Sequence, residues 1–299
     1  MSRQTQPICC SYVVPAATIG TSGDTFLSRN KKRVRRVLGA SISISLSSRY
    51  GVYRAVQATV THKSISHTPI IPTVGFVSVH EEKKAIARKI NDYVGSGGFL
   101  FAMCSATDSY DIALSMENLD GVQSVFDGTS IEGELQSKLQ YDKTLAFKGF
   151  KIISDPMVYE FSDIDYPPSH NPVTRGAEAD YFSLFEFSAK YDPIPTMLTQ
   201  NHVSVVKGFM GQTTGFHKNR IKSHIIIMGE DPASDQVKYL HGNFGKGTFT
   251  FYGGHDPEDY QHFVGDPPTD LKLHRNSPGY RLILNNILFP AARKKERKT

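Results

Sequence analysis

Cysteine is scarce in this chain of 299 residues: Cys9, Cys10 and Cys104 are too few for a disulfide framework, and no Cys-x-x-Cys pair offers a zinc-binding spacing. Cys104 therefore stands alone. Long apolar runs are missing too, so no segment reads as a bilayer span. A composition of 39% hydrophobic and 21% charged residues is that of a soluble globular protein, neither membrane-embedded nor disordered. Acidic residues are scarce at one end only. Residues 1–80 hold ten Lys/Arg against one acid, Asp24, whereas the remainder carries 24 basic and 28 acidic residues. The net charge of +5 belongs to the N-terminal stretch, which argues against a nucleic-acid surface on the folded body. No internal repeat is present.

Residues 1–72 are rich in Ser and Thr and carry a basic cluster at Lys31-Lys32-Arg33-Val34-Arg35-Arg36. A stretch so polar and unpatterned does not repay its ordering entropy, and it reads as a disordered or unreliable extension. An organelle transit peptide or a basic tract are the alternatives. Order is expected from near Pro72: a strand over 73–79, then a helix over 81–94 with Ile86, Ile90, Tyr93 and Val94 on one face, stopped by Gly95-Ser96-Gly97-Gly98. The apolar run 99–103 reads as a central parallel strand buried on both faces. It delivers Cys104 into a helix opened by Thr107 and Asp108. This α–β–α succession predicts a doubly wound α/β domain over 73–292, with a long insertion at 120–200 lying over the site and a basic tail at 293–299. Further strands are expected at 148–154, 157–161, 181–189, 202–206, 223–229 and 248–252, and a final helix from Ser277 with Pro278 in its first turn.

A lone cysteine acts as a nucleophile only as thiolate, which a helix N-terminus and a nearby histidine favour. Cys104 precedes a helix, and the N–H of Ser105 would be an oxyanion donor. His255 follows the strand 248–252 after Gly253-Gly254, with Asp256 and Glu258 close behind, so a Cys–His–acid set can form from two strand ends. Either acid can orient the histidine. The glycine-bearing loop 211–220 either binds an anion through Lys218 and Arg220 or merely connects. Asp108, Tyr110, His217 and Lys218 are the expected substrate contacts.

Three stretches carry a resemblance. They are Gly98-Phe99-Leu100-Phe101-Ala102-Met103-Cys104-Ser105-Ala106-Thr107-Asp108-Ser109-Tyr110-Asp111, then Gly245-Lys246-Gly247-Thr248-Phe249-Thr250-Phe251-Tyr252-Gly253-Gly254-His255-Asp256-Pro257-Glu258, and Asn276-Ser277-Pro278-Gly279-Tyr280-Arg281. With these, the chain from about Gly75 to Lys295 resembles the class I glutamine amidotransferase-like superfamily. It is most similar to the bacterial proteins labelled asparagine synthetase B, which are related to the ThuA-like group. The resemblance implies a flavodoxin-like three-layer sandwich with a mainly parallel sheet. It also implies glutamine hydrolysis by Cys104, His255 and an acid, with no cofactor. Two features depart from the family pattern: Ala102 and Ala106 stand where it has glycines, and the step from His255 to Glu258 is one residue longer. Neither a P-loop nor a pyrophosphatase-type motif for a synthetase half is present.

Two further readings compete with the amidase. One is a non-catalytic ThuA-like module for a small molecule or sugar. The other is a metal site from His255, Glu258 and His262, with His217. The expected partner is a small amide substrate, with a homo-oligomer or a synthase as a protein partner and neither nucleic acid nor membrane. The compartment reads as cytoplasmic, unless an export signal is missing from the chain.

Overall fold

The computed structural model describes residues 11–16, 58–60, 78–122, 124, 128–155, 158, 161–166, 181–184, 203–207, 213–254, 257, 267 and 269–288. In chain order its elements are β1 (Ser11–Ala16), β2 (Ala58–Val60), α1 (Val79–Gly95), β3 (Phe99–Met103), α2 (Ser105–Ser115), β4 (Tyr181–Leu184), β5 (Val205–Lys207), β6 (Phe216–His217), β7 (Ile226–Glu230), β8 (Gln236–Phe244), β9 (Gly247–Tyr252) and α3 (Pro278–Leu288). The basic cluster 31–36, residues 73–77 of the expected strand at 73–79, most of 157–161, residues 185–189 and the tail 293–299 lie outside the described residues, and the end of that strand is corrected, since Ser78 caps α1 and Val79 is its first residue.

The nine strands form one sheet in the order β2-β1-β3-β9-β8-β7-β4-β5, with β6 also pairing with β8. The expectation of a mainly parallel sheet is corrected here: β3 and β9 are parallel, and every other described pairing is antiparallel. The reason is local. Strands β7, β8 and β9 follow one another through tight turns, and a short turn can only join antiparallel neighbours. Between β8 and β9 the turn is Gly245-Lys246, with Gly245 at φ 57°. Between β7 and β8, Asp231 accepts hydrogen bonds from the Ala233 N–H (2.9 Å) and the Ser234 hydroxyl (2.8 Å). Two pieces of the N-terminal stretch expected to lie outside the fold are strands of this sheet, β1 pairing directly with β3.

Sheet alternation sorts the core into two layers. On one face Leu100, Ala102, Leu240, Phe249 and Phe251 pack with Val94 of α1 and with Tyr110, Ile112 and Leu114 of α2. On the other, Phe99, Phe101, Met103, Tyr239 and Tyr252 pack with Leu282 of α3. Helices therefore cover both faces, and β3 is buried along its whole length, as its unbroken apolar run predicts. The described part of the stretch expected as an insertion is built into the first of these layers: Leu145, Phe147, Phe150 and Ile164 are all core residues.

The helix ends follow their sequences. Ser78 accepts from the Glu81 N–H (3.4 Å) at the start of α1, and Ser277 from the Tyr280 N–H (3.1 Å) at the start of α3. Past α1, Gly97 at φ 114° donates to the Val94 carbonyl (2.9 Å) and turns the chain into β3. Close approach demands a glycine at 247, where a Cβ would stand 2.1 Å from the Val94 oxygen and 2.2 Å from the Gly98 oxygen. Gly247→Ala is expected to lower the unfolding free energy by roughly 2 kcal/mol or more. Gly133→Ala, where a Cβ meets nothing within 4 Å, should be neutral in the same chemical-denaturation series.

Candidate active site at the ends of β3 and β9

Cys104 sits between the last residue of β3 and the first of α2 with φ 54° and ψ −141°. For a residue with a Cβ this left-handed backbone costs on the order of 1–3 kcal/mol and persists only where the surroundings enforce it. Three bonds do so. The Cys104 N–H donates to the Tyr252 carbonyl (2.9 Å), and its carbonyl accepts from the Thr107 N–H (3.1 Å) and hydroxyl (2.7 Å). The strain is confined to the cysteine. Ala102 lies in strand and Ala106 in helix, and neither has a positive φ. Alanine at 102 and 106 therefore costs this turn nothing in backbone strain. Cys104 is fully buried and not in a disulfide. The N–H of Ser105 is one of the first four of α2, which lack partners within the helix.

The parallel register pairs Met103 with Tyr252, so the chain leaves the sheet side by side at Cys104 and at Gly253, about 5 Å apart in backbone. Beyond Tyr252, β9 separates from β8. The Gly253 N–H still reaches the Lys238 carbonyl (2.8 Å), but Phe216 and His217 take over the pairing with Val237 and Gln236. The backbone preceding β6 presses close, since a Cβ on Gly253 would stand 2.5 Å from the Thr214 oxygen. Gly254, at φ 80°, donates to the Thr213 carbonyl (2.7 Å). His255 comes next in the chain; it lies outside the described residues, as do Asp256, Glu258 and His262. Among the described residues no group of three or more His, Cys, Asp or Glu is placed to hold a metal ion.

Asp108 lies one helical turn beyond Cys104 and is 1% exposed. Its Oδ1 accepts from the Thr213 hydroxyl (3.1 Å), while Oδ2 is buried with no partner among the described residues. Burial pushes its carboxyl up to about 7, against the downward pull of the Ser109 N–H and the Thr213 hydroxyl; the nearby Cys104 charge adds to the rise.

Of the other expected substrate contacts, Tyr110 is a packing residue. It is buried edge-on to Phe251 and donates to the Ala87 carbonyl of α1 (3.3 Å). His217 packs against Tyr166 with the rings tilted by 32° and their centroids 4.9 Å apart, and burial lowers its pKa. Lys218 is paired with Glu230 (2.6 Å), and Arg220 with Asp163 (2.5 Å) and the Gly149 carbonyl (2.7 Å). Both cations of the described loop residues 213–220 are thus engaged by carboxylates.

Sequence reasoning missed two residues. Thr213 was hidden in a polar loop, and the Asp111 carboxylate accepts three backbone N–H groups, from Leu145 (2.7 Å), Ala146 (2.8 Å) and Phe147 (2.8 Å). Burial raises Asp111 to about 6 although those donors and Lys222 pull it down.

No family model, curated protein or solved structure matches this chain. Among the described residues no helix is long and apolar enough to cross a membrane.

A carboxyl held at about 7 when folded and near 4 when unfolded favours the native state in its protonated form. Its contribution is complete below about pH 4 and is lost as the pH rises through about 7. Urea unfolding across that window should show a component of stability that falls with rising pH, and Asp108→Asn should flatten it.

Proposed function

We propose that this chain is a Cys-dependent amidase of the class I glutamine amidotransferase-like kind, acting on a carboxamide such as that of glutamine. One observation carries the reading: Cys104 takes a left-handed backbone at a strand-to-helix turn, beside the parallel strand that runs into Gly253-Gly254-His255. Strain held in place at the carboxyl end of a strand is how α/β folds present a nucleophile. A parallel β3–β9 pair with helices over both faces supports the finer, flavodoxin-like reading of the central layer, with the antiparallel strands extending it.

In this mechanism the Cys104 thiolate attacks the amide carbon, and the Ser105 N–H at the start of α2 holds the oxyanion. His255, oriented by Glu258 or Asp256, gives a proton to the leaving nitrogen, so ammonia departs and a thioester remains. Water, deprotonated by the same histidine, then attacks the thioester, releasing the acid and restoring the thiol. The ammonia either leaves or passes to a synthase partner, and a homo-oligomer is a second way of completing the assembly.

Cys104→Ala should lower ammonia release from glutamine about a thousandfold or more. An electrophilic glutamine analogue should modify Cys104, read by peptide mass spectrometry with Cys9 and Cys10 as internal controls. Absence of both hydrolysis and labelling in the wild type would sink the amidase reading. Sugar binding that persists in Cys104→Ala would then favour the binding module.

A further inference from the structure

We infer that Thr213 and Asp108 are positioning residues, tying the cysteine turn to the strand end that leads into His255. The tie consists of two hydrogen bonds in series. The Thr213 hydroxyl donates to Asp108 Oδ1 (3.1 Å), and the Thr213 carbonyl accepts from the Gly254 N–H (2.7 Å). Asp108 rides on α2 one turn from Cys104, and Gly254 immediately precedes His255. A single buried residue, 1% exposed, thus bridges the two arms from which the proposed pair comes.

Three physical points support a positioning role. First, the ladder that aligns β3 with β9 ends at Met103 and Tyr252, and the Cys104 N–H to Tyr252 carbonyl bond is its last rung. Beyond that rung, two glycines leave the backbone with wide conformational freedom. Something must fix where the next side chain emerges, and Thr213 holds the second of those glycines. Second, the approach is tight on the far side as well: the Thr214 carbonyl would stand 2.5 Å from a Cβ on Gly253. The loop is therefore wedged and transmits a displacement instead of absorbing it. Third, Asp108 spends only one oxygen on Thr213 and keeps the other buried without a partner among the described residues. Burying a half-satisfied carboxyl is costly. A hydroxyl-to-carboxyl bond kept at that cost, between the cysteine helix and the end of β9, is better accounted for by geometry than by stability.

The inference rests on the amidase reading, and its test separates the two. In the full chain, Thr213→Val is expected to lower kcat for glutamine hydrolysis about 10- to 100-fold while KM moves less than about twofold, because the bond is not to substrate. Thr213→Ser, which keeps the hydroxyl, should restore kcat to within about threefold of wild type. Iodoacetamide alkylation of Cys104, followed peptide by peptide, needs no turnover. It should slow in Thr213→Val, where the imidazole no longer favours the thiolate, and stay fast in Thr213→Ser. If Thr213→Val does not fold, Asp108→Ala cuts the same bond from the helix side and is read in both assays. A folded variant lacking the bond that keeps the wild-type kcat and alkylation rate would overturn the tie. Alkylation that depends on the Thr213 hydroxyl, in a wild-type chain that releases no ammonia, would leave the tie standing and remove the amidase reading.

Discussion

The parallel ladder between β3 and β9 is the constraint on which the rest of the molecule depends. It sets the register of Met103 against Tyr252, and so decides that the chain leaves the sheet at Cys104 and at Gly253 on the same edge. Everything nearby serves those two exits. Strand β8 continues past the end of β9 and receives β6 in its place, so the segment leading into β6 packs against Gly253 and Gly254. Helices α1 and α2 cover one face of the ladder and α3 the other, so neither strand can slide without disturbing a packed layer.

The energetics of this edge run against local stability. A left-handed cysteine, a carboxyl with an unpartnered oxygen and a second carboxyl buried deep in the core all cost free energy where they stand. Their compensation differs. Asp111 is met by three backbone N–H groups, so its burial fastens the loop at Leu145–Phe147 to the floor of α2 and resembles an ordinary structural clamp. Asp108 is met by the Thr213 hydroxyl and the Ser109 N–H, with no donor at Oδ2 among the described residues. Two aspartates three residues apart on one helix thus have different character, set by which groups reach each.

Much of the arrangement around Cys104 was legible in the residues. The apolar run of β3, the glycines stopping α1, Ser277 at the start of α3 and the glycine pair after β9 all state their local structure, because each depends on neighbours close in sequence. Strand direction was not legible. An unbroken apolar strand says that both faces are covered and nothing about whether its neighbours run parallel. Strand β8 was hidden for a related reason: Gln236, Lys238 and His241 interrupt its apolar pattern, yet all three are buried. Asp111 and Thr213 act through partners far along the chain, Asp111 through main-chain N–H groups that carry no residue signature. The expected overlay at 120–200 failed on the same ground, since Phe147 and Phe150 reach the core through loop backbone rather than through a periodic element.

On the far face, Asn286 of α3 lies within hydrogen-bonding distance of the Tyr239 and Tyr252 hydroxyls (3.0 and 3.2 Å), and the two rings stack at 4.2 Å. Tyr252 is also the residue whose carbonyl holds the Cys104 N–H. The cysteine turn and helix α3 therefore share one residue across the thickness of the sheet. Asn286 is thereby linked to the strained turn through a single shared residue, Tyr252.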